Sequence, residues 1–267
     1  MVSTTPSPDR SWQVDGVTFV HGYGQGSTAE RFRIQKPRVL FDRYVDLGSR
    51  FNGGSIVELG IAAGGSTALL CLLAQPRSLI GFELDSAPVS ALAEFITKRG
   101  LESIVRPFYG VDQVDRDGMM KIVDAHIGSE PVDLVIDDAS HRYEETLVSF
   151  EVLFPRLRPG GWFIIEDWAA DYAFVDRIEK AAAQPTAEGA ELRLRLDAAV
   201  ARGKAITRPL PQIGVELLQA CGSSHDVVAE VTVNQHWIVV ERGPADLDAH
   251  GFRLRDHAPD HWGWLTD

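Results

Sequence analysis

The hydrophobic positions of this chain change their period repeatedly, and the changes divide it into alternating strands and helices. Between residues 55 and 168, short apolar runs typical of buried strands alternate with longer segments whose apolar residues recur at helical spacing. The runs predict five strands within SIVELG (55–60), SLIGFEL (78–84), IVRPFYG (104–110), VDLVIDD (132–138) and RPGGWFIIEDW (158–168). Strands separated by helices of this length predict right-handed crossovers and a parallel sheet covered on both faces.

The pattern is less regular on both sides of this region. KPRVLFDRYVDLGSRF (36–51) predicts a helix whose basic residues lie on a solvated face, and the Gly-rich stretch 20–30 predicts a loop. Residues 169–211 carry helical patterns without a clear strand, whereas 226–235 and 236–243 predict two strands joined by a tight connection.

Together these elements predict an α/β fold of the doubly wound, Rossmann-like kind. Its seven-stranded sheet is mostly parallel with a final antiparallel strand, and an N-terminal helical and lid-like extension precedes it. We therefore divide the chain into an extension (1–52), a main domain (53–243) and a C-terminal tail (244–267).

Composition narrows the class of partner. The 267 residues carry a formal net charge of −12, which argues against a nucleic acid as the main partner. The longest apolar runs are too short to span a bilayer, and the polar N-terminus has no signal-peptide core. We therefore expect a cytoplasmic enzyme or binding protein for a small molecule, with no membrane partner, and homo-oligomers stay open.

The end of the first predicted strand carries glycines and an acid. In an open parallel sheet, ligands bind beyond the carboxyl ends of the strands, so these residues are candidates for a cofactor site. Gly60 and Gly64 let the backbone bend and approach a ligand, and Ser66 stands at the start of the following helix. The spacing is not that of a dinucleotide fingerprint, and Glu58 would repel a pyrophosphate but attract a cationic ligand.

Polar residues also follow the second and third predicted strands. Glu83 can accept both hydroxyl groups of a ribose, with Asp85 as the alternative, and Asp112 or Gln113 can face an adenine. An acid near the glycines, an acid for a ribose and a polar group for an adenine suit S-adenosylmethionine, which carries a positive sulfonium. The alternative interpretation of each acid, taken singly, is that it is a solvated residue at the end of its strand and binds no ligand.

The fourth predicted strand ends in two adjacent aspartates and a histidine, in VIDDASHRYEET (135–146). Adjacent carboxylates repel each other and are rarely buried without partners. Successive side chains of a strand point to opposite sides, so we expect Asp137 to face away from Asp138 or to support it. His141 can take part in chemistry beside these acids, or it can be a surface residue or a neighbour of a helix cap without a chemical role.

Four segments of the chain resemble class I S-adenosylmethionine-dependent methyltransferases. They are VELGIAAGGSTALL, GFELD, VIDDASHRYEET and LRPGGWFIIEDW. More narrowly, they resemble the metal-dependent sugar O-methyltransferases of natural-product pathways, the macrocin, mycinamicin and rhamnosyl enzymes, with the cephalosporin hydroxylase group as relatives. The resemblance covers residues 55–168 well and the rest only in outline.

The resemblance implies a metal site and a base. It implies Asp138, Glu166 and Asp167 as ligands of a divalent cation, usually Mg²⁺, and His141 as the general base. Neighbouring strand ends lie close in space, so these carboxylates can converge, and oxygen ligands favour Mg²⁺ over zinc. The expected reaction is methylation of a deoxysugar hydroxyl group on a glycosylated metabolite or a nucleotide sugar, in antibiotic biosynthesis.

Two other functions remain open at this stage. One is methylation of a phenol or catechol, which also uses a metal and strand-end acids. The other is a role like that of the cephalosporin hydroxylase group, without methyl transfer. We also expect aromatic residues near the acceptor: His21 and Tyr23 in a lid, and a wall, or alternatively core, of Trp168, Tyr172 and Phe174.

Overall fold

The computed structural model describes residues 2–3, 11–22, 26–169 and 208–260, with isolated residues between 180 and 198. The helices are α1 (Arg38–Arg50), α2 (Gly65–Ala74), α3 (Ser90–Arg99), α4 (Arg116–His126), α5 (Tyr143–Leu153) and α6 (Pro211–Ser223). The strands are β1 (Val2–Ser3), β2 (Ser11–Val14), β3 (Val17–His21), β4 (Arg31–Ile34), β5 (Ser55–Leu59), β6 (Ser78–Glu83), β7 (Val105–Tyr109), β8 (Val132–Asp137), β9 (Leu157–Glu166), β10 (Val228–Val233) and β11 (Trp237–Arg242).

The larger of the two described sheets has seven strands in the order β10-β11-β9-β8-β5-β6-β7. Strands β5 to β9 pair in parallel, whereas β11 pairs antiparallel with both β9 and β10. The predicted α/β fold, with a final antiparallel strand, is therefore confirmed.

The order of the strands reverses beside β5. The chain runs outward through β6 and β7 and then returns to place β8 on the other side of β5. The carboxyl ends of β5 and β8 thus flank the crevice where doubly wound folds bind ligands.

The N-terminal extension contains a second sheet, in the order β1-β2-β3-β4, that the sequence analysis missed. Strands β2 and β3 form a hairpin around Asp15 and Gly16, both of which have positive φ angles of 47° and 79°. An Asp-Gly pair between alternating hydrophobic residues is a strong hairpin signal. The signal is present in WQVDGVTF (12–19), so the missed hairpin was readable from the sequence.

The extension packs into the same core as the larger sheet. Trp12 stacks on Phe41 of α1 with ring centroids 4.5 Å apart, and Phe32 contacts the edge of Phe95 in α3. These residues belong to one continuous hydrophobic cluster with the α2 and α3 side of the sheet, while α4, α5 and α6 cover the other face. Apolar burial therefore holds β4 and α1 beside the carboxyl ends of the strands.

Some expectations concern parts of the chain that lie outside the described residues. Tyr23, Tyr172 and Phe174 are among them, so their predicted contacts with an acceptor stay predictions. Among the described helices, none combines the length and the apolar character that a membrane crossing requires.

A glycine at the start of α2 makes the close packing of β4 testable. A Cβ atom on Gly65 would lie 2.3 Å from Cγ2 of Ile34 and 2.5 Å from the carbonyl oxygen of Arg33. We expect Gly65→Ala to lower the free energy of unfolding by about 1–3 kcal/mol, because the extension must shift. In Gly222→Ala, the matched control in α6, the new methyl group meets no atom within 4 Å, so stability should be unchanged or slightly higher. Equal thermal melting of the two variants would contradict this packing.

Candidate functional site

The loop after β5 and the turn after β8 lie against each other. The backbone N–H of Asp138 donates to the carbonyl oxygen of Leu59 at 3.0 Å. A Cβ atom on Gly60 would lie 2.3 Å from the carbonyl oxygen of Asp138, and φ of Gly60 is +92°. Only glycine fits this position, which is the physical reason for the first glycine in the motif.

Glu83, at the end of β6, faces the same loop. Its Oε2 atom accepts the backbone N–H of Ala62 at 2.8 Å, and its Oε1 atom accepts that of Asp85 at 3.1 Å. The carboxylate is therefore held in place while each oxygen keeps a lone pair for a further donor. Asp85 itself is exposed and caps its own turn by accepting the N–H of Ala87.

Glu58 is fully buried within β5. The Thr67 hydroxyl group donates to its Oε2 atom at 2.5 Å, whereas its buried Oε1 atom has no hydrogen-bond partner among the described residues. Burial raises the pKa of Glu58 to about 7. The side chain thus lies behind the glycine loop, and Gly64 is buried there as well, with φ of +81°.

The loop after β7 places its two polar residues differently. Asp112 is exposed and accepts the N–H of Val114, whereas Gln113 is buried and donates to Oδ2 of Asp137 at 2.6 Å. The Ser149 hydroxyl group donates to the same oxygen. Asp137 therefore supports the end of β8 from inside, as the alternation of a strand predicts.

Asp138, His141 and Asp167 come together at the ends of β8 and β9. Each offers a ligand atom, and these atoms lie within 4.8 Å of one another. The Nε2 atom of His141 is 3.9 Å from Oδ1 of Asp138. His141 and Asp167 both have positive φ angles, 54° and 51°, and such strained residues cluster at functional sites.

Glu166 lies outside this cluster, although the resemblance groups it with Asp138 and Asp167. It is fully buried, and its two oxygens accept from Nζ of Lys36 at 2.6 Å and from the Tyr44 hydroxyl group at 2.5 Å. The same Lys36 ammonium group donates to Oδ2 of Asp138 at 2.6 Å.

Lys36 and Tyr44 are polar residues of the site that sequence reasoning missed. The expectation that the basic residues of KPRVLFDR lie on a solvated face holds for Arg38, which pairs with Asp42 at the surface. It is wrong for Lys36, which is only 4 % exposed and pairs with Asp138 and Glu166, 102 and 130 residues away in sequence. No local pattern reports such a pairing.

Two cavities meet at this point. One, of about 490 Å³, contains Glu83, Asp112 and Gln113 in its wall, and the other, of about 270 Å³, contains Lys36, Ser66 and the acid–histidine cluster. They share the wall formed by Gly60, Ala62, Asp138 and Ala139. A larger cavity of about 890 Å³ lies away from these residues, between α1 and the β10-β11 hairpin.

The comparison with protein families agrees with this geometry. The sequence profile described as a methyltransferase domain matches residues 57–168, from β5 to just beyond β9. Residues 57–168 are thus similar to a methyltransferase domain. Residues of this region line both cavities, and the N-terminal extension adds residues to the smaller one.

Curated relatives match this chain over short stretches. An 8-demethyl-8-alpha-L-rhamnosyl tetracenomycin-C 2'-O-methyltransferase of Streptomyces olivaceus is 44% identical over 61 residues, 23% of this chain and 15% of that protein. A demethylmacrocin O-methyltransferase of Streptomyces fradiae is 56% identical over 41 residues, 15% and 10% of the two chains. A mycinamicin VI 2''-O-methyltransferase of Micromonospora griseorubida is 54% identical over 41 residues, again 15% and 10%.

Among solved structures, the MycE methyltransferase of the mycinamycin pathway, in complex with Mg and SAH, shares the fold. The TM-score is 0.50 at 20% identity, and the match covers 77% of this chain and 49% of that one. The chain thus spans about half of the solved relative and at most 15% of the three curated ones.

The burial of Asp137 at the end of β8 predicts that the free energy of unfolding depends on pH. Burial raises the pKa of Asp137 from 3.8 to about 6, so the folded state holds its proton more tightly than the unfolded state. The stability that depends on this proton is present at low pH and is lost as the pH rises through about 6. We expect Asp137→Asn to gain up to about 3 kcal/mol relative to wild type between pH 4 and pH 7.5.

Denaturant unfolding in the presence of a chelator measures this difference at each pH. The exposed Asp112→Asn is the matched control and should show no such trend. A pH-independent difference between Asp137→Asn and wild type would contradict the assignment.

Proposed function

We propose that this protein is an S-adenosylmethionine- and Mg²⁺-dependent O-methyltransferase that methylates a deoxysugar hydroxyl group of a glycosylated natural product. The observation that carries the proposal is the pair of adjoining cavities. One leads to a carboxylate suited to a ribose, the other to a cluster of two carboxylates and an imidazole, and Asp138 lies in the wall of both.

The larger of these two cavities fits the methyl donor. Glu83 stands ready as the acceptor for ribose hydroxyl groups, because backbone N–H groups already fix both of its oxygens. The exposed Asp112 is available to an adenine, whereas Glu58 lies fully buried behind the glycine loop, where burial raises its pKa to about 7. S-adenosylmethionine supplies an electrophilic methyl group that passes to the attacking oxygen, leaving S-adenosylhomocysteine.

The carboxylates of Asp138 and Asp167 fit a divalent cation. Their oxygens are hard ligands, and both described cysteines, Cys71 and Cys221, lie outside the cluster, which favours Mg²⁺ over zinc. A divalent cation at this position supplies positive charge that makes an acceptor hydroxyl group more acidic. The two aspartates would orient that hydroxyl group towards the shared wall.

His141 is the proposed general base. Its side chain is about one third exposed (34%) and lies in the wall of the smaller cavity, so an acceptor can reach it. Asp138, whose Oδ1 atom is 3.9 Å away, stabilises the imidazolium that forms when His141 takes the hydroxyl proton. The oxygen then forms a bond to the methyl carbon as the carbon–sulfur bond breaks.

The acceptor class is supported by the relatives and by the wall of the smaller cavity. The relatives' names specify O-methylation of rhamnosyl tetracenomycin, demethylmacrocin and mycinamicin VI. Polar side chains from the extension, Arg33, Gln35 and Lys36, line this cavity and suit a hydroxylated ring better than an apolar one. Transfer of labelled methyl to a rhamnoside, but not to a catechol, would separate the two acceptor classes.

The cofactor assignment predicts the behaviour of a Glu83 variant. Isothermal titration should show S-adenosylhomocysteine binding to the wild type and about 10- to 100-fold weaker binding to Glu83→Ala, since two hydrogen bonds to a charged group are lost. Asp85→Ala, two residues away, should bind as the wild type does. The reverse result would move the ribose to Asp85, and no binding by any form would remove the methyltransferase function.

The metal assignment predicts loss of turnover in chelator. Methyl transfer should stop with EDTA and return with added Mg²⁺, while S-adenosylhomocysteine binding persists. Asp138→Ala and Asp167→Ala should each lose transfer yet keep cofactor affinity, because their proposed role lies on the acceptor side. Full turnover after thorough chelation would refute the metal role.

The base assignment predicts a pH-dependent defect. His141→Gln should lower turnover about 10²- to 10⁴-fold, and its residual rate should rise with pH as hydroxide replaces the missing base. Cofactor and Mn²⁺ binding should stay near wild type, which separates a base from a metal ligand. The exposed His250→Gln is the control and should retain full turnover. A folded His141→Gln with wild-type turnover across pH would exclude the base.

A further inference from the structure

A buried ammonium group lies between the two acidic motifs of the site. Nζ of Lys36 is 2.6 Å from Oε2 of Glu166 and 2.6 Å from Oδ2 of Asp138. Lys36 is itself only 4 % exposed, so this ammonium group bridges two carboxylates inside the protein at the ends of β8 and β9.

Both oxygens of Glu166 already accept a hydrogen bond from a buried donor, and the side chain itself is buried. Oε2 accepts from Lys36, and Oε1 accepts from the hydroxyl group of Tyr44, which is itself fully buried. Removing Lys36 would leave the buried carboxylate of Glu166 without an opposite charge, which is costly.

Asp138 divides its two oxygens between two neighbours. Oδ2 is held by Lys36, while Oδ1 faces Nε2 of His141 at 3.9 Å and belongs to the cluster with Asp167. The contact with Lys36 thus fixes which oxygen of Asp138 points into the acceptor cavity.

We propose that Lys36 is a positioning residue and that Glu166 is its buried counter-charge rather than a metal ligand. The inference rests on the proposed function for the metal itself, but the ion pair is independent of it. Lys36 pairs with Glu166 and with one oxygen of Asp138, so the other oxygen of Asp138 and the carboxylate of Asp167 are left for a divalent cation.

The inference also assigns a role to the N-terminal extension. Lys36 lies between β4 and α1, and Tyr44 lies within α1, so both groups come from outside residues 57–168. The backbone of β4 packs directly on Gly65 at the start of α2. The extension therefore supplies the charge that orients the acidic turn of the methyltransferase domain.

A comparison of adjacent residues tests the role of Glu166. Mn²⁺ binding, followed by electron paramagnetic resonance, should be within about threefold of wild type in Glu166→Gln and at least tenfold weaker in Asp167→Asn. Equal losses in the two variants would make Glu166 a ligand and overturn the proposal. Absence of Mn²⁺ binding in the wild type would instead refute the metal in the proposed function.

A double-mutant cycle tests the ion pair without any metal. Lys36→Met should lower the melting temperature in EDTA, and Glu166→Gln in the same chain should restore most of the loss, because no unpaired charge remains. The control Arg38→Met, which removes an exposed pair with Asp42, should melt as wild type. Additive losses for Lys36 and Glu166 would show that the two side chains do not act as a pair.

The double variant Lys36→Met/Glu166→Gln then tests whether Lys36 positions Asp138. With its fold and cofactor affinity retained, Lys36→Met/Glu166→Gln should show at least a tenfold lower kcat with little change in the KM for the methyl donor, because Asp138 is no longer oriented. Wild-type kcat in this variant would exclude a positioning role for Lys36.

Discussion

The close approach of two backbones, at Gly60 and Asp138, is the constraint on which the rest of the site depends. The loop after β5 passes so near the turn after β8 that a single methyl group on Gly60 would collide with a carbonyl oxygen. This contact makes one wall common to both cavities. A group bound in one cavity and a group bound in the other therefore lie next to each other at this edge of the sheet.

Charge in the interior is arranged around this contact. Three buried acids lie close to this contact. Glu58 lies behind the glycine loop, Asp137 lies under the turn after β8, and Glu166 lies at the end of β9. Glu58 accepts a hydrogen bond from a hydroxyl group, and Asp137 accepts from an amide and a hydroxyl group. Glu166 accepts from an ammonium group. Of these three acids, Glu166 is the one that forms an ion pair, with Lys36, and burial raises the pKa of all three, to about 7 for Glu58 and Glu166 and to about 6 for Asp137.

Much of the fold was predictable because its signals are local. Each β-strand from β5 to β9 contains a short apolar run that stops at a polar or glycine residue within the strand or just after it, and parallel strands bring those ends to one edge. Strand-end proximity thus predicted that Asp138 approaches the Glu166–Asp167 pair, whereas the roles of these residues and of His141 were implied by the resemblance to a known family. The signal for the hairpin at Asp15 and Gly16 is equally local.

Other features depend on contacts that no window of sequence contains. Lys36 resembles any surface lysine beside a proline, and only the fold shows that it meets acids from β8 and β9. The same holds for Gly65, whose requirement for glycine comes from β4 and not from its own helix. Residue type and spacing predicted that Asp138, Glu166 and Asp167 converge, but not that Asp138 and Glu166 already share Lys36 as a partner.

The way in which Glu83 is held has a consequence for turnover under the proposed function. Two backbone N–H groups hold its carboxylate in place before any ligand binds. Little conformational entropy of this side chain is therefore lost when a ribose binds. The ribose is common to the methyl donor and to its demethylated product, and this contact cannot tell them apart. Tight, preorganised binding of the donor therefore carries product inhibition with it, and sustained catalysis depends on continuous removal of S-adenosylhomocysteine by another activity of the cell.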